Sequence, residues 1–166
     1  EVDFDNLVCG RHYSDHMFVA DYIDGEWTNL QIVPYANLSL SPATASLHYG
    51  QAIFEGMKAY KNDAGEVLMF RPLDNWARFN KSAIRMCMPE VPEDIFMGGL
   101  TELLRMDAAW IPTTPDASLY VRPYMFSTDA YIGVRPSETY KFIIFTGPVG
   151  KYYAKPPRVK VEQHYI

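Results

Sequence analysis

Two arginines set among apolar residues are the first chemically informative feature of this chain. Arg78 follows Trp76 and Ala77 and precedes Phe79 in a segment of helical period, and Arg122 stands inside Leu119-Tyr120-Val121-Arg122-Pro123, which reads as a strand. A buried guanidinium carries a heavy desolvation cost unless an anion accompanies it. Two answers are open for each: a structural ion pair with Asp or Glu, or a pocket that offers a bidentate fork to a phosphate or carboxylate ligand. Tyr49, Phe54, Tyr120 and Tyr152 can wall such a pocket, although in a chain with 12 Tyr each is equally at home in a core. Other catalytic patterns are missing: there is no G-x-S-x-G elbow, Walker loop, G-x-G-x-x-G or H-E-x-x-H. His12 and His16 have the i, i+4 spacing that binds metal on a helix, but they run from a polar loop into a strand, so no metal site is expected there.

The elements that must carry these residues are legible as strands, then helices, then strands. His16 to Tyr22 is apolar and aromatic, Asp24-Gly25 signals a hairpin turn, and Trp27 to Val33 returns antiparallel. Leu47 to Phe54 and Met57 to Lys61 extend the strand pattern, and Asn62-Asp63-Ala64-Gly65 turns the chain into Glu66 to Phe70. Pro72 opens a helix with Leu73, Trp76, Ala77, Ile84 and Cys87 on one face as far as Pro89, and it aligns Arg78 with Arg85 on another stripe. A second helix follows Pro92, with Ile95, Phe96, Leu100, Leu103, Leu104 and Trp110 as its apolar stripe and Gly98-Gly99 as its weak point. Ser118 to Phe126 and Tyr140 to Thr146 are further strands, the second apolar enough to be central. The whole is an α+β arrangement, a mainly antiparallel sheet with two helices over residues 1–146, followed by a Gly/Pro-rich linker over 147–157. Residues 158–166 alternate Val159, Val161 and Tyr165 onto one face and read as the first strand of a second domain, so the end at Ile166, like the start at Glu1, reads as a cut.

Composition narrows the partners. With 166 residues, 48% hydrophobic and 21% charged, the chain can bury a core, and its net charge of −5 argues against a nucleic-acid or anionic membrane surface. The two cysteines, Cys9 and Cys87, are far apart, which suits a reducing, cytoplasmic setting, and no stretch has the length of a membrane span or the pattern of a signal peptide.

Four segments in register resemble the branched-chain amino acid aminotransferases, which belong to the fold-type IV (class IV) pyridoxal-phosphate enzymes. They are His48-Tyr49-Gly50-Gln51-Ala52-Ile53-Phe54-Glu55-Gly56-Met57-Lys58-Ala59-Tyr60, Phe70-Arg71-Pro72 through Asn75 to Arg78, Ser118-Leu119-Tyr120-Val121-Arg122-Pro123, and Gly147-Pro148-Val149-Gly150-Lys151-Tyr152. The resemblance implies the small N-terminal domain of the D-amino acid aminotransferase-like fold. It implies Arg78 as a ligand of the pyridoxal 5'-phosphate phosphate group and Tyr49, Phe54, Tyr120, Arg122, Val134 and Tyr152 as substrate-pocket residues. Tyr49 and Val134 would reach into the partner's site of a homodimer, and Arg122 would order the tyrosines or meet a glutamate side chain.

The implied reaction is transamination between Leu, Ile or Val, or their keto acids, and 2-oxoglutarate or glutamate. An aromatic and aliphatic wall with polar tips suits both kinds of side chain. In the family the Schiff-base lysine follows the strand that matches Val159 to Tyr165. None of Lys58, Lys61, Lys81, Lys141, Lys151, Lys155 and Lys160 occupies that position, so no catalytic residue is assigned here. The chain by itself is therefore expected to be inactive and to bind the cofactor weakly or not at all. Other readings are a D-amino acid aminotransferase or aminodeoxychorismate lyase of the same fold, and a non-catalytic α+β module for ligand binding or dimerisation.

Overall fold

The computed structural model of the chain describes residues 3, 4, 7, 10–151 and 156–164. β1 (His16–Ile23) and β2 (Glu26–Pro34) form the expected hairpin, and Asp24 and Gly25 both take positive φ, +53° and +85°, as a two-residue turn matched to strand twist requires. A short helix follows, α1 (Ala45–Tyr49), where the apolar pattern predicts strand. Gly50 ends it at φ +68° and donates its N–H to Ser46 O at 3.0 Å, and only Ala52–Phe54 of the expected strand remains, as β3. β4 (Met57–Lys61) and β5 (Val67–Met69) are joined through the Asn62–Gly65 turn. Then come α2 (Pro72–Arg85), α3 (Glu93–Met106) and a 3-10 turn (Ala108–Trp110). β6 (Ser118–Ser127) and β7 (Tyr140–Val149) complete an antiparallel sheet in the order β2-β1-β7-β6-β4-β5, with β3 also on β6.

The apolar run Tyr140 to Phe145 is central, flanked by β1 and β6. β7 continues to Val149, so Gly147, Pro148 and Val149, which glycine and proline density assigns to a linker, are paired with Tyr120, Leu119 and Ser118. Residues 156–164 form no strand, and Val159 and Val161 are exposed, with no neighbouring strand among the described residues to cover them. Tyr165 lies outside the described residues.

Strand parity divides the sheet into two faces. One carries Ile53, Met57, Ala59, Leu119, Val121, Met125, Phe142 and Ile144 and is covered by α2 and α3. Phe142 is its centre, met by the rings of Phe18, Phe79 and Phe96 at centroid distances of 6.1, 5.5 and 5.6 Å. α2 does not dock by its expected face. Phe79, Asn80 and Ala83 are buried with Trp76 packed alongside, whereas Leu73, Ile84 and Cys87 are exposed. Asn80 explains the difference: its amide donates to Val91 O and accepts from Val91 N, both at 2.9 Å, so a polar residue serves the inward row and the helix ends before Cys87. The opposite face carries Met17, Val19, Phe126 and Ile143 with Tyr124 and Phe145.

The connection between β6 and β7 is built around Asp129, which accepts from Thr139 N, Glu138 N and the Thr139 hydroxyl and pairs with Arg135. Burial pushes the Asp129 carboxyl up, but these donors and the Arg135 charge outweigh it and hold it below its ordinary value of 3.8.

The packing sets opposite expectations for two adjacent glycines. At Gly99 an added Cβ would sit 2.5 Å from the ring of buried Phe18, whereas at Gly98 it would meet nothing within 4 Å. Gly98→Ala should therefore stabilise by about 0.5–1 kcal/mol through helix propensity. Gly99→Ala should destabilise by about 1–3 kcal/mol through overpacking. Chemical denaturation of the two variants checks the opposite signs. For Asp129, a carboxyl whose folded pKa is depressed contributes stability above the unfolded pKa and loses it as pH falls through the folded one. Asp129→Asn should lower the melting temperature at neutral pH, and the gap to the parent should shrink below about pH 4. Thermal melts across that range measure it.

Candidate functional site

β3 and β4 are two parts of one ribbon. Phe54 pairs with Tyr124 and Met57 with Val121, so the register against β6 is unbroken across Glu55 and Gly56. The ladder lapses there because Glu55 N donates to Pro123 O at 2.9 Å and proline has no N–H to return. Parity then sends Phe54, Gly56 and Lys58 to the face opposite the helices, next to Tyr120, Arg122 and Tyr124 of β6. On that face a cavity of about 570 Å³ is lined by His12, Tyr13, Lys58, Tyr120, Arg122 and Phe145.

Arg122 is the polar centre of this face. Its guanidinium lies 4.3 Å from the centroid of Phe54 and 5.3 Å from that of Tyr120, and Nη2 donates to the Tyr120 hydroxyl at 2.8 Å. No carboxylate pairs with it among the described residues, and its Nε is buried without a hydrogen-bond partner. Among the described residues, then, Arg122 has no ion pair: it is a cation stacked on aromatics with donor capacity left for a ligand carboxylate. Gly56 leaves room for this arrangement, since a Cβ there would fall 2.4 Å from the Tyr120 oxygen. Nearby, burial and Tyr35 push the Tyr124 hydroxyl up to about 12, so it stays neutral.

For Arg78 the ion-pair answer does hold. It projects from α2 and meets Glu55, a buried carboxylate in the core-facing row of Ile53, Met57 and Ala59, with Nε to Oε1 at 2.5 Å and Nη2 to Oε2 at 2.6 Å. Asn75 Nδ2 and Gly56 N also donate to Oε2, at 3.0 and 3.3 Å. Burial pushes the Glu55 carboxyl up, but the bonds from Arg78 and Asn75 and the Arg78 charge prevail, so it titrates below its ordinary value and is ionised at neutral pH. The Arg78 side chain is nonetheless 66% exposed. Glu55 occupies the side formed by Nε and Nη2, and the edge formed by Nη1 and the second Nη2 proton remains for an anion. That donor set fits a phosphate group.

Phe54, Tyr120 and Arg122 are thus brought together, while Arg78 joins Glu55 from the helix side of the ribbon. Tyr49 at the end of α1 and Val134 in the β6–β7 connection are exposed, Val134 at 93%, and contribute no wall to the cavity. The two connections are tied by Ala45 N donating to Asp129 O at 2.8 Å and Ser137 N donating to Gln51 Oε1 at 3.2 Å. Tyr152 lies outside the described residues. His16 meets Asp107 through Nδ1 at 2.6 Å, and no cluster of three or more metal-ligating side chains occurs among the described residues. Glu55 is a site residue that the sequence reading does not single out. The available signal is its parity, a lone charge in the core-facing row Ile53, Met57, Ala59.

No family model matches the chain. Branched-chain-amino-acid transaminase 1 of Bacillus subtilis (strain 168) is 43% identical over 169 residues, covering 99% of this chain and 48% of the relative. A branched-chain-amino-acid aminotransferase of Mycolicibacterium smegmatis is 41% identical over 162 residues, covering 95% and 44%. Among solved structures, the branched-chain aminotransferase of Thermoproteus uzoniensis with norvaline superposes with a TM-score of 0.65 at 24% identity, covering 85% of this chain and 43% of that one. The chain spans about half the length of the curated relatives it matches. With aminotransferase relatives aligned along nearly its entire length, and with an antiparallel sheet and three helices that match the N-terminal domain of class IV aminotransferase structures, the chain belongs to the branched-chain amino acid aminotransferase family.

Proposed function

We propose that this chain serves as the N-terminal half of a pyridoxal-phosphate-dependent branched-chain aminotransferase that exchanges amino groups between Leu, Ile or Val and glutamate. The observation that carries this reading is the Arg122 cluster. A guanidinium stacked on Phe54 and Tyr120, with no neutralising carboxylate among the described residues, offers one surface for an aliphatic side chain and one charge for the side-chain carboxylate of glutamate. A solved branched-chain amino acid aminotransferase is complexed with N-(5'-phosphopyridoxyl)-L-glutamate, and its TM-score of 0.63 at 21% identity supports the shared fold.

Arg78 fits the cofactor's phosphate through the edge that Glu55 leaves uncovered. When bound, pyridoxal phosphate supplies an electron sink for the substrate's Cα. The residues here bind and orient: Arg78 holds an anion, Arg122 and Tyr120 receive a carboxylate or an aliphatic chain, and Phe54 shields that surface from water. The Schiff-base lysine is assigned to the C-terminal half that the relatives carry, with the linker beginning after β7 and running to residue 157, and 158–166 as the start of that half. Tyr49, Tyr152 and Val134 complete the pocket, Tyr49 and Val134 across a homodimer interface, in a cytoplasmic protein. No helix among the described residues is long and apolar enough to cross a membrane.

The full-length protein, assayed with 2-oxoglutarate, should accept leucine in preference to D-alanine, and the reverse preference would refute the reading. Arg122→Met should raise KM for glutamate by about tenfold or more, the scale on which a lost charged contact discriminates, with a much smaller change for leucine. Equal changes for both donors would count against the charge assignment. Val134 is almost fully exposed in one copy of the chain, so Val134→Asp should leave the melting temperature of the isolated chain unchanged. In the full-length protein it should raise KM for leucine or dissociate the dimer in sedimentation, and retention of both wild-type KM and wild-type assembly would remove Val134 from the partner's pocket.

A further inference from the structure

We propose that Glu55 is a positioning residue for cofactor binding: its buried carboxylate locks the Arg78 guanidinium by the Nε and Nη2 side and so aims the opposite edge at the phosphate. This rests on the reading of Arg78 as the phosphate ligand. The geometry is that of an aiming device. Oε1 takes Arg78 Nε, and Oε2 takes Arg78 Nη2, Asn75 Nδ2 and Gly56 N, so four donors converge on one carboxylate. Those donors come from the break in the ribbon and from α2, which fixes the carboxylate relative to strand and helix together.

Stability alone does not account for the charge. Glu55 occupies a row otherwise filled by Ile53, Met57 and Ala59, where an apolar side chain would avoid the desolvation cost. Its partner is two-thirds exposed, the situation in which an ion pair contributes least. What the pair does supply is orientation. An arginine on an exposed helix face samples many rotamers, and each must be given up on binding. With two of its donor groups held by Glu55, that entropy is lost on folding, before the phosphate arrives, and the planar fork presents Nη1 and Nη2 in one direction. The Glu55 charge also opposes the phosphate through the guanidinium, so the proposal requires orientation to outweigh that repulsion, and the sign of the effect is itself diagnostic.

The test uses the full-length apoenzyme and the ratio of the dissociation constants of pyridoxal and pyridoxal phosphate, which isolates the phosphate contribution. Glu55→Gln keeps the shape but turns an N–H group toward the guanidinium, breaking the fork. It should reduce the ratio about tenfold, the equivalent of one charge-assisted hydrogen bond. Arg78→Ala should reduce it at least as far, and the double variant should go no lower than Arg78→Ala alone, because Glu55 acts only through Arg78. A ratio that is unchanged or raised in Glu55→Gln while Arg78→Ala collapses it overturns the positioning role and leaves Arg78 as the ligand. A ratio unaffected by Arg78→Ala overturns both. If Glu55→Gln does not fold, Glu55→Asp keeps the charge but withdraws it by one methylene, and the same reduction is expected, with an unchanged ratio again overturning the role.

Discussion

The Glu55 carboxylate is the constraint around which the ribbon and helix α2 are arranged. An ionised group in a core-facing row must be surrounded by donors or be neutralised. Here the donors come from three places: the next backbone N–H at Gly56, Asn75, and the guanidinium of Arg78 one turn further along α2. Each donor restricts an element. The helix cannot rotate without withdrawing Asn75 and Arg78 together, and the ribbon cannot slip by a residue without exchanging Glu55 for Phe54 or Gly56 on the inner face. The Phe79, Asn80 and Ala83 row, which sets how α2 lies on the sheet, is consistent with that same orientation.

Proline makes the break in the ribbon that the site uses. Opposite Glu55, Pro123 accepts one bond and cannot return one, so pairing lapses over Glu55 and Gly56 while the register holds. The two contacts at this break fall on opposite faces. On the inner face the Gly56 N–H, which strand alternation directs away from β6, donates to the Glu55 carboxylate, and on the outer face the missing Cβ of Gly56 admits the Tyr120 hydroxyl, which in turn accepts from Arg122. A single Glu-Gly pair facing Arg-Pro therefore serves both the anchored arginine and the stacked one.

Much of this is legible in the sequence, and the departures have physical causes. The hairpin, the central strand and both long helices follow from apolar period and turn residues. α1 is obscured because five residues are too few for periodicity to separate a helical turn from a strand, and Gly50 with its positive φ is the sole local clue. The docking face of α2 differs from the apolar stripe because Asn80 counts as polar in a pattern, although its amide both donates to and accepts from Val91. Gly147, Pro148 and Val149 look like a linker by composition, yet glycine and proline are tolerated there because the strand's other neighbour, β1, reaches only as far as Phe145. Among site residues, Arg78 and Arg122 stand out by type and context, but their partners do not: nothing local distinguishes a paired arginine from an unpaired one when the pairing depends on strand parity and helix rotation.

The two arginines show how one residue type acquires two roles from its surroundings. Arg78 shares its charge with a carboxylate of the same chain, so its net field is weak and its contribution lies in direction. Among the described residues, Arg122 is compensated by ring faces and a tyrosine hydroxyl rather than by a carboxylate. A group with more donor capacity than the fold satisfies is favourable only where a ligand or solvent completes it. The exposed apolar side chains of Tyr49, Phe54 and Val134 make the same point in nonpolar terms. Their exposure leaves about 1.5–3 kcal/mol of transfer free energy for a large apolar side chain to be recovered by burial elsewhere. A charge with no carboxylate partner among the described residues, and apolar area left uncovered around it, are surfaces on which binding energy is still to be gained.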